Sequence, residues 1–171
     1  MKLGIDIGRV LISAEPSGSR ADTSFIGGSI EDALNTSPYE GMFQAVPELT
    51  TLFAGQVWLI SKCRSRVQEK SRLWLQHHRF FERTRIKPDN LRFCLERPQK
   101  ADHCRELGIT HFIDDRIDVL DHLAGLVPHR FLFGPQKLLR FPSGVVYVPT
   151  WGDAIACVQR TVERADRWAA E

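Results

Sequence analysis

Five polar side chains in this sequence end or directly follow apolar segments that have the character of buried strands. Asp6 lies in KLGIDI, Ser61 ends VWLIS, Glu96 follows LRFCL, and Asp114 and Asp115 end HFIDD. Carboxylate oxygens are the ligands that Mg²⁺ prefers, and a serine hydroxyl donates hydrogen bonds to oxygen acceptors such as those of a phosphoryl group. Brought together, these side chains would suit metal and phosphate chemistry.

The elements that must position them alternate between strands and helices. Most of the apolar segments are continuous rather than alternating, which is typical of strands covered on both faces. The predicted strands are 2–7, 57–61, 91–95, 111–114 and 129–133, with 145–148 as a sixth candidate. The predicted helices are 66–83, 100–107, 116–124 and 152–169, and an apolar stripe on the first comprises Leu73, Trp74, His77, Phe80 and Phe81.

This alternation predicts a doubly wound, Rossmann-like α/β fold, in which a parallel sheet lies between two layers of helices. Ligands of such folds bind beyond the carboxyl ends of the strands, near the switch in strand order. The polar residues at the strand ends are therefore the candidate functional residues.

Four motifs in order resemble those of the haloacid dehalogenase-like hydrolase superfamily. GIDIGRVLI resembles its first motif, a strand ending in Asp-x-Asp-Gly-(Thr/Val)-(Leu/Ile), and ISKCRS at 60–65 resembles the second, a strand ending in Ser or Thr. RPQKADHCRELGITHFIDDRIDVL at 97–120 is similar to the third and fourth together, a lysine that opens a helix and then a strand ending in paired aspartates. The later strings RFLFGPQ and VPTWGDAIACV are loosely similar to the ends of deoxyribonucleotidase-like members.

The resemblance implies a Mg²⁺-dependent phosphohydrolase with Asp6 as the nucleophile that forms an aspartyl-phosphate. It implies Mg²⁺ ligation by Asp6, by the carbonyl of Gly8 and by one of Asp114 and Asp115, with Asp118 assisting through a water. Which of the two adjacent aspartates binds the metal stays open at this point.

The same resemblance implies that Ser61 hydrogen-bonds the phosphoryl oxygens and that Lys100 neutralises the charge on the transferring group. Lys100 is favoured for this role because it directly precedes the helix that leads into the aspartate strand, while Lys62 and Lys87 are alternatives. The complete set expected to bind phosphate is Ser61, Lys62, Lys100 and Arg9.

The chain departs from the family pattern two residues after the nucleophile. Hydrolases of the family usually carry a second aspartate there, which protonates the leaving group and activates water, but here the residue is Gly8, followed by Arg9. Such a general acid/base typically contributes about 10²–10⁴-fold. Three hypotheses remain: the group comes from elsewhere, such as Glu15, Asp22 or the substrate; the protein binds a phosphorylated ligand or partner with weakened catalysis; or these residues are structural only. Some relatives without the second aspartate catalyse phosphonate cleavage or dehalogenation, so another reaction is an alternative under the first.

The chain is predicted to be a single domain over 1–171, in which segment 13–45 forms a flexible flap or a small cap. That segment is rich in Ser, Gly, Pro, Asp and Thr and is too long for an ordinary connection. Relatives with little cap tend to act on large or extended substrates, so an extended phosphate ester is expected, with a nucleotide or nucleic-acid end as the minority hypothesis. Basic residues are dense from Arg64 to Lys87, where a solvated face is favoured over a nucleic-acid footprint.

Composition places the chain among ordinary globular proteins, with 43% hydrophobic and 26% charged residues and a net charge of +2. Four cysteines without a CxxC pair argue against a zinc site or a secreted disulfide framework. No secretion signal or membrane-spanning run is apparent, so the expectation is a cytoplasmic monomer or weak dimer without a membrane partner.

Overall fold

The computed structural model describes residues 1–13, 25–137 and 141–169. These residues contain six strands, which are β1 (Leu3–Ile5), β2 (Val57–Lys62), β3 (Leu91–Cys94), β4 (His111–Asp114), β5 (His129–Phe133) and β6 (Val145–Val148). They form one parallel sheet in the order β3-β2-β1-β4-β5-β6. The predicted α/β class is therefore confirmed, and the sixth candidate segment is a strand.

Helices cover both faces of this sheet. They are α1 (Ile30–Leu34), α2 (Met42–Leu52), α3 (Ser65–His77), α4 (Phe80–Thr84), α5 (Gln99–Leu107), α6 (Ile117–His122) and α7 (Trp151–Ala169). One apolar core lies between the sheet and α1 to α4 with α7, and a second lies between the sheet and α5 with α6. Successive strand residues alternate between these cores, as Phe131 and Leu132 do.

Strand β1 lies at the switch in strand order, because the chain proceeds from it to β2 and β3 on one side and to β4, β5 and β6 on the other. Ile5 is in register with Leu59 of β2 and with Ile113 of β4. The residues just after these positions therefore share one edge of the sheet, and the backbone N–H of Asp6 donates to the carbonyl of Ile113 at 3.0 Å.

The described part of segment 13–45 is packed against the body of the domain. Phe25, Ala33 and Met42 are buried in the larger core, and α1 begins with a capping box between Ser29 and Asp32. Residues 14–24, which contain Glu15 and Asp22, lie outside the described residues. The sequence patterns do not predict α2, which carries Pro47 inside it.

The prediction of a single helix over 66–83 is wrong, because α3 and α4 are separate helices. The helix is interrupted at Arg79, whose φ of 52° is left-handed, and Phe80 after it is buried in the same core as Trp74. His77, predicted to lie on the apolar stripe, is exposed at the end of α3.

None of the helices in the described parts of the chain combines the length and the hydropathy that are needed to cross a membrane.

Candidate functional site

A buried ion-pair network joins the ends of β1 and β4 to the start of α5. The ammonium of Lys100 lies 2.6 Å from Oδ2 of Asp114 and 2.9 Å from Oδ1 of Asp6. Burial acts to lower the pKa of Lys100, but Asp114 and Asp6 outweigh it, so the pKa is raised and the amine stays charged. The contact with Asp6 lacks hydrogen-bond geometry, and Oδ1 of Asp6 has no hydrogen-bond donor among the described residues.

The three aspartates form a compact cluster of oxygens. One carboxylate oxygen from each of Asp6, Asp114 and Asp115 lies within 4.8 Å of the other two. Burial, followed by the negative charges of Asp6 and Asp114, raises the pKa of Asp115 to about 7. Burial also raises the pKa of Asp114, although Lys100 opposes this shift. Holding all three side chains ionised therefore costs free energy unless a cation joins them.

The two adjacent aspartates differ in what their oxygens already contact. Asp114 is fully buried, with Oδ2 bound to Lys100 and Oδ1 accepting a hydrogen bond from the backbone N–H of Arg116 at 2.9 Å. Asp115 lines the cavity described below, and Oδ2 lies 3.8 Å from a guanidinium nitrogen of Arg9. Asp115 is therefore the more accessible carboxylate, while Asp114 orients the lysine.

A cavity of about 420 Å³ opens above this cluster. Asp6, Gly8, Arg9, Ser61 and Lys62 all line it, so the fold brings them together as the sequence predicts. Further lining residues were not predicted from the sequence, and they are Ile7, Ile12, Ser13, Phe25, Ile26, Cys63, Arg64, Val67, Ser71, Arg97 and Arg116.

Of the three lysines that the sequence left open, Lys100 lies in the buried network and Lys62 lies on the cavity wall. Lys87 directly precedes the short 3₁₀ helix Pro88–Asn90, which leads into the start of β3, and it is not among the lining residues. Because the candidate site is at the carboxyl ends of the strands, Lys87 belongs to the other edge of the sheet.

The turn after β1 has its left-handed residue at Arg9 and not at Gly8. Gly8 does not have a positive φ, and a Cβ placed on it meets no atom within 4 Å. Arg9 has a left-handed φ of 59°, at the position where the family usually carries glycine. The conformational need for glycine is thus at residue 9 rather than at residue 8.

The carboxylate of Asp118 is bound by two arginine side chains. Its carboxylate accepts hydrogen bonds from the Arg116 side chain at 3.0 and 3.2 Å and lies 3.7 Å from Arg97. Arg97 and Arg116 also line the cavity. Asp118 therefore positions two guanidinium groups at the cavity. The sequence signal that would have found them is that Arg97 lies three residues before Lys100 and that Arg116 directly follows Asp115.

The cavity also contains a cysteine that the chemistry does not favour as a nucleophile. Burial, followed by the negative charge of Asp6, raises the pKa of the Cys63 thiol to about 12. A thiol with so high a pKa stays protonated at neutral pH, and the thiolate is the reactive form.

The basic segment from Arg64 to Lys87 has many partners within the protein. Lys70 is buried against backbone carbonyls, Arg72 lies over the ring of Phe93, and Arg83 lies over the ring of Phe43. These contacts reduce the charge that the segment can offer to a phosphate backbone. Nucleic acid therefore stays a minority prediction.

Comparison with protein-family models gives no match, and a search of curated proteins finds no significant similarity to the chain.

Proposed function

We propose that this chain is a Mg²⁺-dependent phosphohydrolase of the haloacid dehalogenase type that acts through an aspartyl-phosphate on Asp6. The observation that carries the proposal is the convergence of Asp6, Asp114, Asp115 and Lys100 under a cavity at the switch in strand order. Three of these residues come from parts of the chain that are about a hundred positions from Asp6.

The carboxylate cluster fits a hard divalent cation by its donor chemistry. Asp6, Asp115 and the carbonyl of Gly8 are the ligands that we assign, since both oxygens of Asp114 already have donors. When bound, Mg²⁺ would supply positive charge that offsets the repulsion between these carboxylates and a phosphoryl group. The raised pKa of Asp115 supports this assignment, because a cation removes the repulsion that contributes to the shift.

The residues of the chain divide the reaction between them. The carboxylate of Asp6 attacks phosphorus, the bond from phosphorus to the ester oxygen breaks, and the alcohol leaves with a proton. Lys100 neutralises charge beside the attacking carboxylate, and Ser61 and Lys62 bind the phosphoryl oxygens. Water then attacks phosphorus, the bond from phosphorus to the carboxylate oxygen breaks, and inorganic phosphate leaves as Asp6 is regenerated.

The leaving group requires a proton donor. Among the described residues that line the cavity, the carboxylates are Asp6 and Asp115, and there is no histidine. This composition favours a second candidate function, a protein that binds a phosphorylated ligand or partner and turns it over slowly.

Trapping of fluoroberyllate, a mimic of the phosphoryl group, tests the proposal by calorimetry. We expect Mg²⁺-dependent binding that Asp6→Asn abolishes and that Asp102→Asn, a matched change on the exposed face of α5, leaves intact. Hydrolysis of p-nitrophenyl phosphate by the same protein then identifies a hydrolase. Binding without hydrolysis favours the second candidate, and the absence of Mg²⁺-dependent binding overturns both.

A further inference from the structure

The residues that line the cavity include a charged set and an apolar set. The charged set is Asp6, Arg9, Lys62, Arg64, Arg97, Asp115 and Arg116. Four residues of the apolar set, which we call the apolar wall, are Ile12, Phe25, Ile26 and Val67. Ile12, Phe25 and Val67 also belong to one apolar cluster, so the wall is continuous with the core.

A buried ammonium fixes part of the apolar wall in place. Lys70 of α3 is 2% exposed, and its Nζ donates to the carbonyls of Phe25, Ile26 and Gly28 at 3.0, 3.2 and 2.7 Å. These three acceptors satisfy all three donors of the ammonium. Arg66, one turn earlier, donates to the carbonyl of Gly28 at 3.2 Å.

This anchoring has a consequence for Ile26. Its backbone carbonyl is bound by Lys70 of α3, and the residue is 55% exposed and lines the cavity. A large aliphatic side chain whose backbone is anchored beside a cavity offers apolar surface to a group that enters. Among the described lining residues, the four of the wall are uncharged, whereas Arg64 at the start of α3 and the residues at the ends of β1 and β4 carry charge.

We propose that the apolar wall binds the organic group of the substrate, so that the preferred substrates are phosphate monoesters of apolar alcohols rather than of sugars or other polyols. The inference rests on the proposed function for the position of the phosphate. With the phosphoryl group above Asp6, the organic group is directed to the remaining surface of the cavity, and burial there favours groups that leave water easily. A volume of about 420 Å³ is within the range of cavities that hold small organic ligands.

Alkylphosphonates provide the test, because their carbon–phosphorus bond replaces the ester bond that the proposed reaction breaks. Dissociation constants for methyl-, butyl-, hexyl- and 6-hydroxyhexylphosphonate would be measured calorimetrically on the full chain with Mg²⁺. Each buried methylene strengthens binding by up to about fourfold. We expect hexylphosphonate to bind about tenfold more tightly than butylphosphonate and also more tightly than its hydroxylated counterpart.

Two variants locate the effect. In Ile26→Ser the ratio between hexyl- and butylphosphonate should fall to about threefold or less. Ile30→Ser is the matched control, since Ile30 is also exposed but does not line the cavity, and this variant should keep the wild-type ratio.

The outcomes separate the two proposals. Mg²⁺-dependent binding of methylphosphonate with no gain from longer chains overturns the apolar wall and leaves the proposed function standing. If longer chains bind more tightly and Ile26→Ser does not reduce this gain in affinity, the apolar wall is not the surface that binds the organic group. If methylphosphonate itself does not bind, the proposed function fails, and the inference that depends on it fails too.

Discussion

Gly8 is the residue at which the chain departs from the motif that it resembles, and the backbone there accepts a Cβ without strain or close contact. Its φ is not positive, and no atom lies within 4 Å of an added Cβ. We expect Gly8→Asp to increase turnover of a generic phosphate ester by at least about tenfold, equal to roughly 1.4 kcal/mol of barrier. The reason is that the new carboxylate would protonate the leaving oxygen and then activate water.

Gly8→Asn is the matched control, because it has nearly the same shape but lacks the proton transfer. Turnover, thermal stability and Mg²⁺ binding should be measured on both variants. A stable Gly8→Asp protein that binds Mg²⁺ and gains no turnover would show that more than the acid/base is missing, and it would favour the binding function.

At the scale of elements, β4 carries a buried histidine at the end opposite the candidate site. His111 hydrogen-bonds Thr110 at 2.8 Å and Thr161 of α7 at 3.0 Å, and its ring stacks on His129 of β5. Burial, then the positive charges of His129 and the N-terminus, lowers the pKa of His111 to about 3. The structure therefore holds this imidazole in its neutral form at neutral pH.

The sign of the resulting pH dependence follows from proton uptake. Between pH 6.5 and 3 the unfolded chain protonates this histidine and the folded chain does not, so stability is retained above pH 6.5 and lost as the pH falls below it. We expect a loss of up to about 1.4 kcal/mol for each pH unit. Urea unfolding at pH 7.0 and 5.5 would measure it.

His111→Phe should reduce this acid sensitivity, because it removes the imidazole that takes up the proton. The hydroxyls of Thr110 and Thr161 keep their hydrogen bonds to the carbonyls of Lys2 and Val158, so the variant leaves neither hydroxyl without an acceptor. His122→Phe, on the exposed end of α6, serves as the control. Comparison between the variants is needed because Asp115, whose pKa is raised to about 7, changes stability in the opposite direction over the same pH range. Equal slopes in wild type and His111→Phe would contradict the prediction.

At the scale of the whole molecule, the proposed metal site joins β1 to the end of β4 and is complete only in the folded chain. Mg²⁺ should therefore stabilise the fold, by about 2.7 kcal/mol at one hundred times the dissociation constant. For a chain of this size that corresponds to a rise in Tm of about 5–10 °C. Thermal unfolding across millimolar Mg²⁺ measures the shift.

Asp6→Asn and Asp115→Ala should each remove the stabilisation by Mg²⁺. Without the metal, Asp115→Ala should be at least as stable as wild type, because it relieves repulsion within the cluster. Asp121→Asn, an exposed change on α6, should keep the wild-type response. An unchanged Tm for the wild-type protein, with calorimetry also showing no binding, would count against the metal site.

The sequence alone determined the sheet and the residues at its carboxyl edge. Each strand is a short continuous apolar run, and this local property is enough to place it when both faces of the sheet are covered. Parallel pairing then gathers the strand ends, so Asp6, Ser61, Asp114 and Asp115 were found as a group. The position at which α5 ends could also be predicted from the local sequence, since Gly108 adopts the left-handed conformation that ends many helices.

Only the tertiary structure decided how the helical segment 66–83 packs against the rest of the protein. The helical pattern of 66–83 runs through Arg79, yet the helix breaks there because packing of Phe80 against distant residues outweighs the local preference. Lys70, which the sequence placed on a solvated face, is instead buried by carbonyls that lie up to 45 residues earlier. Such choices depend on contacts between residues far apart in the chain, and short-range patterns carry no information about them.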